Sequence, residues 1–190
     1  MENNLAIKDK NMFGFWVYLM SDCVLFAGLF ATYAVLYTST YGNASIQTIV
    51  DLPFVLTETI ILLTSSFTVG LAVLAAERGK KTLTLAALTL TLALGLAFLG
   101  MELSEFARLA AAGSGPSQSA FLSIFFTLLG THGLHVFLGS VWMLVLMAHV
   151  FYKGLSEGST RKLLLMSLFW HFLDIIWIFI FTFVYMFGAL

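Results

Sequence analysis

Eight ionisable side chains stand inside apolar stretches of this chain: Asp22, Glu58, Glu102, Glu105, His132, His135, His171 and Asp174. Carboxylates and imidazoles can ligate metals, pass protons or pair as buried ions. Glu102 with Glu105, His132 with His135, and His171 with Asp174 are each spaced i,i+3. On a helix that spacing puts both members on one face. Two histidines near carboxylates would suit iron or zinc, but a di-iron bundle takes Glu-x-x-His motifs from two helices, and the sequence has none. Haem would need an axial histidine opposite a second strong ligand, which the sequence leaves open. His132 lies between Thr131 and Gly133, a small-residue setting that suits close helix packing better than a ligand shell. In low dielectric a carboxylate beside a histidine shares a proton or forms an ion pair, which offsets the burial cost. The spacing therefore predicts that His132 or His135 meets Glu102 or Glu105 across two neighbouring helices, with no metal held.

The elements that must position these groups are membrane spans. The chain has 190 residues, 60% hydrophobic and 10% charged, against roughly 25% charged in soluble domains. A net charge of −1 gives no electrostatic footprint for nucleic acid. One cysteine, Cys23, allows no internal disulfide. Apolar runs at about 13–38, 54–76, 83–106, 121–150 and 163–188 each match the ~20 residues that cross a bilayer. The first is too long for a signal-peptide core and lacks a small-residue cleavage site, so no cleavable leader is expected. The connections "TSTYGNASIQTIVDLP", "ERGKK", "AAAGSGPSQS" and "KGLSEGSTRK" carry the helix breakers. They are short, and they predict an all-α membrane protein, a five-transmembrane-helix bundle forming one domain over 1–190.

Lys8, Lys10, Arg78, Lys80, Lys81, Lys153, Arg161 and Lys162 fall on one side of that arrangement, and Arg108 alone on the other. The positive-inside rule then puts the N-terminus in the cytoplasm and the C-terminus in the periplasm. An acid at a helix centre costs about 2.5–3.5 kcal/mol on insertion scales. Asp22 lies about 13–14 Å into its span and needs a partner or water. Glu58 follows Pro53 near a helix start, where a carboxylate also favours the helix dipole. His149 is expected at the interface. Gly28, Gly70, Gly95, Gly100, Gly130, Gly133 and Gly139 are expected where helices approach closely.

Four stretches in order, "GFWVYLMSDCVLFAGLFATYAVLY", "GMELSEF", "THGLHVFLG" and "FWHFLDIIWIFIFTFVYMFG", resemble subunit III of the haem–copper oxidases over residues 12 to 190. Within that family the likeness is to the bacterial cytochrome bo-type ubiquinol oxidases, to which "LPFVLTETIILLTSS" adds. The chain looks like the five-helix form of the family, without the first two helices of the seven-helix form. Asp22 stands where cytochrome c oxidases commonly carry Glu. The resemblance implies a subunit without catalytic, cofactor or metal residues of its own. Haem and copper are then expected in subunit I, with subunits I, II and IV and phospholipids as partners in a bacterial inner membrane. On this reading the chain supports assembly, lipid binding and stability of subunit I, a component of a quinol:oxygen oxidoreductase, and the eight residues are structural polar pins. The alternatives are the same subunit in a cytochrome c oxidase or nitric oxide reductase cluster, and a stand-alone proton-coupled transporter using the acid and histidine set.

Overall fold

The computed structural model describes residues 2–39, 51–113 and 115–186, with side chains from residue 12 onward. Five helices run through the described residues: α1 (Glu2–Leu36), α2 (Leu52–Glu77), α3 (Lys81–Ala111), α4 (Ala120–Lys153) and α5 (Glu157–Ile180), the last running on as a π-helical turn over Phe181–Met186. All five are long and apolar enough to cross a membrane, over Met12–Leu36, Leu52–Glu77, Lys81–Ala111, Ala120–Lys153 and Glu157–Met186.

The expected spans fall on these helices with shifts at the ends. α1 begins well before residue 13, because neither Gly nor Pro interrupts the chain before Gly14. It ends at Leu36, and residues 37 and 38 form a turn. Part of the "KGLSEGSTRK" connection is helical, because the Ser156 side chain accepts the Ser159 N–H at 3.2 Å and caps α5 there. Ser119 caps α4 in the same way through the Leu122 N–H at 3.1 Å. Residues 40–50 of the first expected connection, Ser114 of the third, and 187–188 of the last expected span lie outside the described residues.

The connections α2–α3, α3–α4 and α4–α5 are too short to cross the bundle, so consecutive helices pack as neighbours. α2 packs on α3, α3 on α4, α4 on α5, and α5 back on α2. These four helices close a ring. α1 stands outside it, against α4 and to a lesser degree α5. Its buried residues, Leu19, Asp22, Phe26 and Tyr33, make a single stripe at helical spacing. Within the five-helix bundle expected from the sequence, four helices form a ring and one is laid on its edge.

Hydroxyls and indoles tie the ring together. Trp170 and Trp177 on α5 donate their ring N–H to Ser65 and Thr59 on α2, both at 3.0 Å. The Thr68 and Thr91 hydroxyls join α2 to α3 at 2.8 Å. Trp170 is 1% exposed and lies between Gly95 of α3 and Gly139 of α4. A Cβ at Gly95 would stand 2.8 Å from Trp170 Cζ2, and one at Gly139 would stand 3.2 Å from its Cζ3. Those two glycines serve close approach as expected. Gly28, Gly70 and Gly100 do not, since nothing lies within 4 Å of a Cβ built on any of them. They sit on outward faces, a distinction that a residue type alone does not carry.

Candidate functional site

The eight ionisable residues sort by helix contact into three groups. Near the α3 C-terminal end, Glu58, Glu102 and Glu105 are all buried. Glu58 comes from the first turns of α2, and Glu105 from the last turns of α3. Antiparallel packing brings these to the same level. The π-helical turn adds Tyr185, fully buried, whose hydroxyl donates to Glu105 Oε2 at 3.3 Å. Arg108 Nη2 lies 3.7 Å from Glu105 Oε1. The three carboxyls and the Tyr185 hydroxyl are near enough to act on one another electrostatically. Both oxygens of Glu58 have no hydrogen-bond partner among the described residues.

Glu102 lies against α4 at Gly133, where a Cβ would be 2.6 Å from Glu102 Oε2. Glycine at that position is what lets the carboxyl fold flat onto the α4 backbone. The expected pairing with a histidine does not occur. His132 is fully buried, but its ring is enclosed by Trp177 at 5.1 Å, Phe98 at 5.8 Å and Phe26 at 6.5 Å between centroids. Neither of its nitrogens has a hydrogen-bond partner among the described residues. The residue of α4 that faces Glu102 is Gly133, so the neighbouring imidazole is directed into the aromatic interior instead.

His135 belongs to the second group, at the α1–α4 contact. Its Nδ1 donates to the Thr131 carbonyl at 2.7 Å, one turn back on its own helix. Its Nε2 lies 3.7 Å from Asp22 Oδ2, within ion-pair range but beyond hydrogen-bond length. Asp22 is 7% exposed, so the acid expected to need a partner faces the ring rather than the outside. His132 and His135, three residues apart, thus serve different neighbours.

The third group joins α5 to α2. His171 Nδ1 meets the Ser66 hydroxyl. Asp174, one turn on, is buried, with the Ser66 hydroxyl of α2 beside its carboxyl. Ser66, Thr59, Ser65 and Tyr185 were not singled out by the sequence reading. One signal was present: Trp170 and Trp177 are seven residues apart, and Thr59 and Ser65 six. That matches two antiparallel helices whose buried indoles each require an acceptor. His149, expected at the interface, is partly buried one turn before the end of α4.

Among the described residues, no three His, Cys, Asp or Glu side chains converge as a metal-ligand set. The nitrogens of His132 are closed in by aromatic rings, and those of His135 are directed at Thr131 and Asp22. What the arrangement does is join helices: α1 to α4, α2 to α5, and α3 to the π-helical turn, each through a polar contact in an apolar interior.

A family model described as cytochrome c oxidase subunit III matches residues 2–189. The chain is 58% identical over 181 residues to a protein of Pseudomonas aeruginosa named cytochrome bo(3) ubiquinol oxidase subunit 3, covering 95% of this chain and 87% of that one. A protein of the same name from Pseudomonas putida is 49% identical, over 96% of this chain and 88% of its own. A Staphylococcus aureus protein named probable quinol oxidase subunit 3 is 42% identical, over 95% and 90%.

Proposed function

This chain belongs to the cytochrome c oxidase subunit III family, and we propose that it is the third subunit of a bacterial haem–copper oxidase that takes electrons from ubiquinol. The observation that carries the reading is the 58% identity, over nearly the full length of both chains, to a relative named as a ubiquinol oxidase subunit 3. It is a multi-pass membrane protein, with five helices among the described residues long and apolar enough to span. In our reading all 190 residues form one membrane domain in the inner membrane, with the N-terminus cytoplasmic and the C-terminus periplasmic. The division of basic residues between the two sides supports that orientation.

The chain's contribution is structural. Subunit I is its main partner, with subunits II and IV and phospholipids, and subunit I holds the haem and copper. Asp22, Glu58, Glu102, Glu105, His132, His135, His171 and Asp174 act as buried polar pins that fix helix positions. Support comes from the contacts: Asp22 with His135, Ser66 with His171, and Glu105 with Tyr185 each cross between elements. Polar links of this kind orient membrane helices where hydrophobic burial cannot, because lipid is as apolar as the helices themselves.

Purifying the tagged full chain from its native membrane tests this. The expected result is a co-purifying haem protein that oxidises ubiquinol and reduces oxygen. A haem partner that accepts electrons only from cytochrome c would move the assignment to the cytochrome c branch. A chain that purifies without any haem protein and carries solute and protons in vesicles would overturn the reading.

A further inference from the structure

Glu102 is only 3% exposed, yet its Oε1 has no hydrogen-bond partner among the described residues. Its carboxyl lies flat on α4: a Cβ at Gly133 would stand 2.6 Å from Oε2 and 3.1 Å from both Oε1 and Cδ. Seating α3 on α4 in this way uses the shape of the carboxyl and leaves its acceptor capacity unmet. A buried acceptor without a donor is unfavourable until one reaches it. The same side chain lines a groove of about 300 Å³ between α3 and α4. Leu103 and Phe106 line it from α3, and Gly130, Gly133, Leu134 and Phe137 from α4.

The α4 side of this groove is bare backbone at two points one turn apart. At Gly133 the Glu102 carboxyl takes the space of a side chain. At Gly130 nothing does: a Cβ there would meet only Phe106 Cε2, at an ordinary 3.9 Å. Glycine at 130 therefore keeps the groove open rather than serving helix contact. Phe106 is held from behind by Phe126, at 5.0 Å between ring centroids. Leu103, Leu134 and Phe137 are 52–64% exposed, so the groove opens outward from the ring of helices. Glu102 lies about 9 Å along α3 inward from Arg108, whose side chain is 54% exposed.

We propose that this groove binds the ring of a quinol entering sideways from the bilayer, with a ring hydroxyl donating to the Glu102 carboxyl. Three features select the occupant. The carboxyl calls for an O–H or N–H donor, which an acyl chain lacks. The bare backbone at Gly130 and the rings of Phe106 and Phe137 suit a flat aromatic body, which packs well against other rings. The volume is at the small end for a ligand pocket; a helix about 10–12 Å across would cover such a slot without filling it. A quinol is apolar enough to travel in the membrane and carries its donors on the ring itself. Glu102 then has a second task besides seating α3 on α4. That the ring is a quinol rests on the function proposed above; that the groove wants a planar donor does not.

The test uses the full chain, with whatever subunits accompany it, in phosphatidylcholine nanodiscs. A ubiquinol analogue carrying a diazirine beside its ring is photolysed, and labelled residues are mapped by mass spectrometry. Label should fall within residues 99–106 and 130–137, and unlabelled ubiquinol should compete for it. The dimethyl ether of ubiquinol, which has no O–H to donate, should compete about tenfold less well, the loss expected for one hydrogen bond to a buried acceptor. Glu102→Leu should weaken labelling by a similar factor, while Glu102→Gln, which keeps an acceptor, should retain most of it. Gly130→Leu fills the groove without touching Glu102 and should abolish labelling there. Equal competition by the ether would overturn the proposal, as would full labelling of Gly130→Leu. Displacement of the label by phosphatidylethanolamine as readily as by ubiquinol would assign the groove to a phospholipid ammonium and overturn it too. A native preparation that oxidises ubiquinol but carries no label at these residues removes the site and leaves the oxidase reading standing. One that is labelled there and oxidises no quinol removes the oxidase reading and keeps the site.

Discussion

Placing a methyl group at Gly95 tests the packing argument at its tightest point. A Cβ there would lie 2.8 Å from Cζ2 and 2.9 Å from Cη2 of Trp170, whereas carbon atoms sit best at about 3.5–4.0 Å. The indole has to move by most of an ångström. It has nowhere to go: Gly139 backs its other edge, and its N–H is tied to Ser65 at 3.0 Å. Overpacking costs about 1–3 kcal/mol, and an indole with no room to shift puts this site in the upper part of that range, about 2–3 kcal/mol. The gain in helix propensity from Gly to Ala returns at most about 1 kcal/mol. Gly95→Ala should therefore destabilise by a net of about 1–2 kcal/mol, a fall of roughly 2–8 °C in Tm for a chain of this size. Gly70→Ala is the matched control, since nothing lies within 4 Å of its added Cβ; it should be neutral or slightly stabilising. The assay is thermal unfolding followed by loss of the monodisperse peak in size-exclusion chromatography. Trp170→Phe removes the two atoms that clash, so Gly95→Ala should cost less on that background than on the native one. If Gly95→Ala melts with Gly70→Ala, or costs as much with Phe at 170 as with Trp, the steric argument is wrong.

Further outcomes follow from the polar contacts. Thr59→Val and Ser65→Ala each strip the acceptor from a buried indole N–H and should cost about 1–3 kcal/mol; Thr64→Val, whose exposed hydroxyl bonds its own helix, should change little by the same melting assay. Tyr185→Phe leaves the buried Glu105 Oε2 without its donor and should cost about 1–3 kcal/mol, so an unchanged melting point would count against that hydrogen bond. In a double-mutant cycle, Asp22→Asn and His135→Gln should be coupled by about 0.5–3 kcal/mol, with strictly additive effects counting against the ion pair. Metal analysis of the purified full chain should give no stoichiometric iron, copper or zinc, and one metal per chain that disappears in His132→Ala would refute the packing role given to that imidazole.

The spans were legible because their signal is long and redundant: a run of about twenty apolar residues survives any single ambiguity. Their ends were less so. The start of α5 moved to Glu157 because one serine hydroxyl caps it, a single hydrogen bond outweighing a glycine and several polar neighbours. Within the spans, residue type and spacing identified which side chains are buried but not what they meet. Glu102, Glu105 and His132 are all buried as their positions suggested, yet the acid–histidine contact failed. Rotation of α4 about its own axis puts Gly133 rather than an imidazole opposite Glu102, and that angle is set by the packing of Phe98, Trp177 and Trp170 from other helices. Asp22 shows the opposite case. Its need for a partner followed from burial cost alone, and His135 meets it. Tyr185 was out of reach of periodicity, because the π-helical turn shifts its bearing relative to the α-helical pattern before it.

The position of α1 outside the ring has a consequence for how the chain is made. α1 leaves the ribosome before α4 and α5, yet the surface it packs on belongs to those two helices. Asp22 enters the membrane without His135, and at about 5–20 residues per second the imidazole arrives on the order of ten seconds later. For that interval an acid that costs about 2.5–3.5 kcal/mol at mid-depth has no counterpart of its own. α1 is therefore made before the helices that seat it. A nascent chain arrested after α3 should keep Asp22 open to the insertion machinery, where a photo-cross-linker at Cys23 would find it, and release from arrest should close that contact only once α4 has entered.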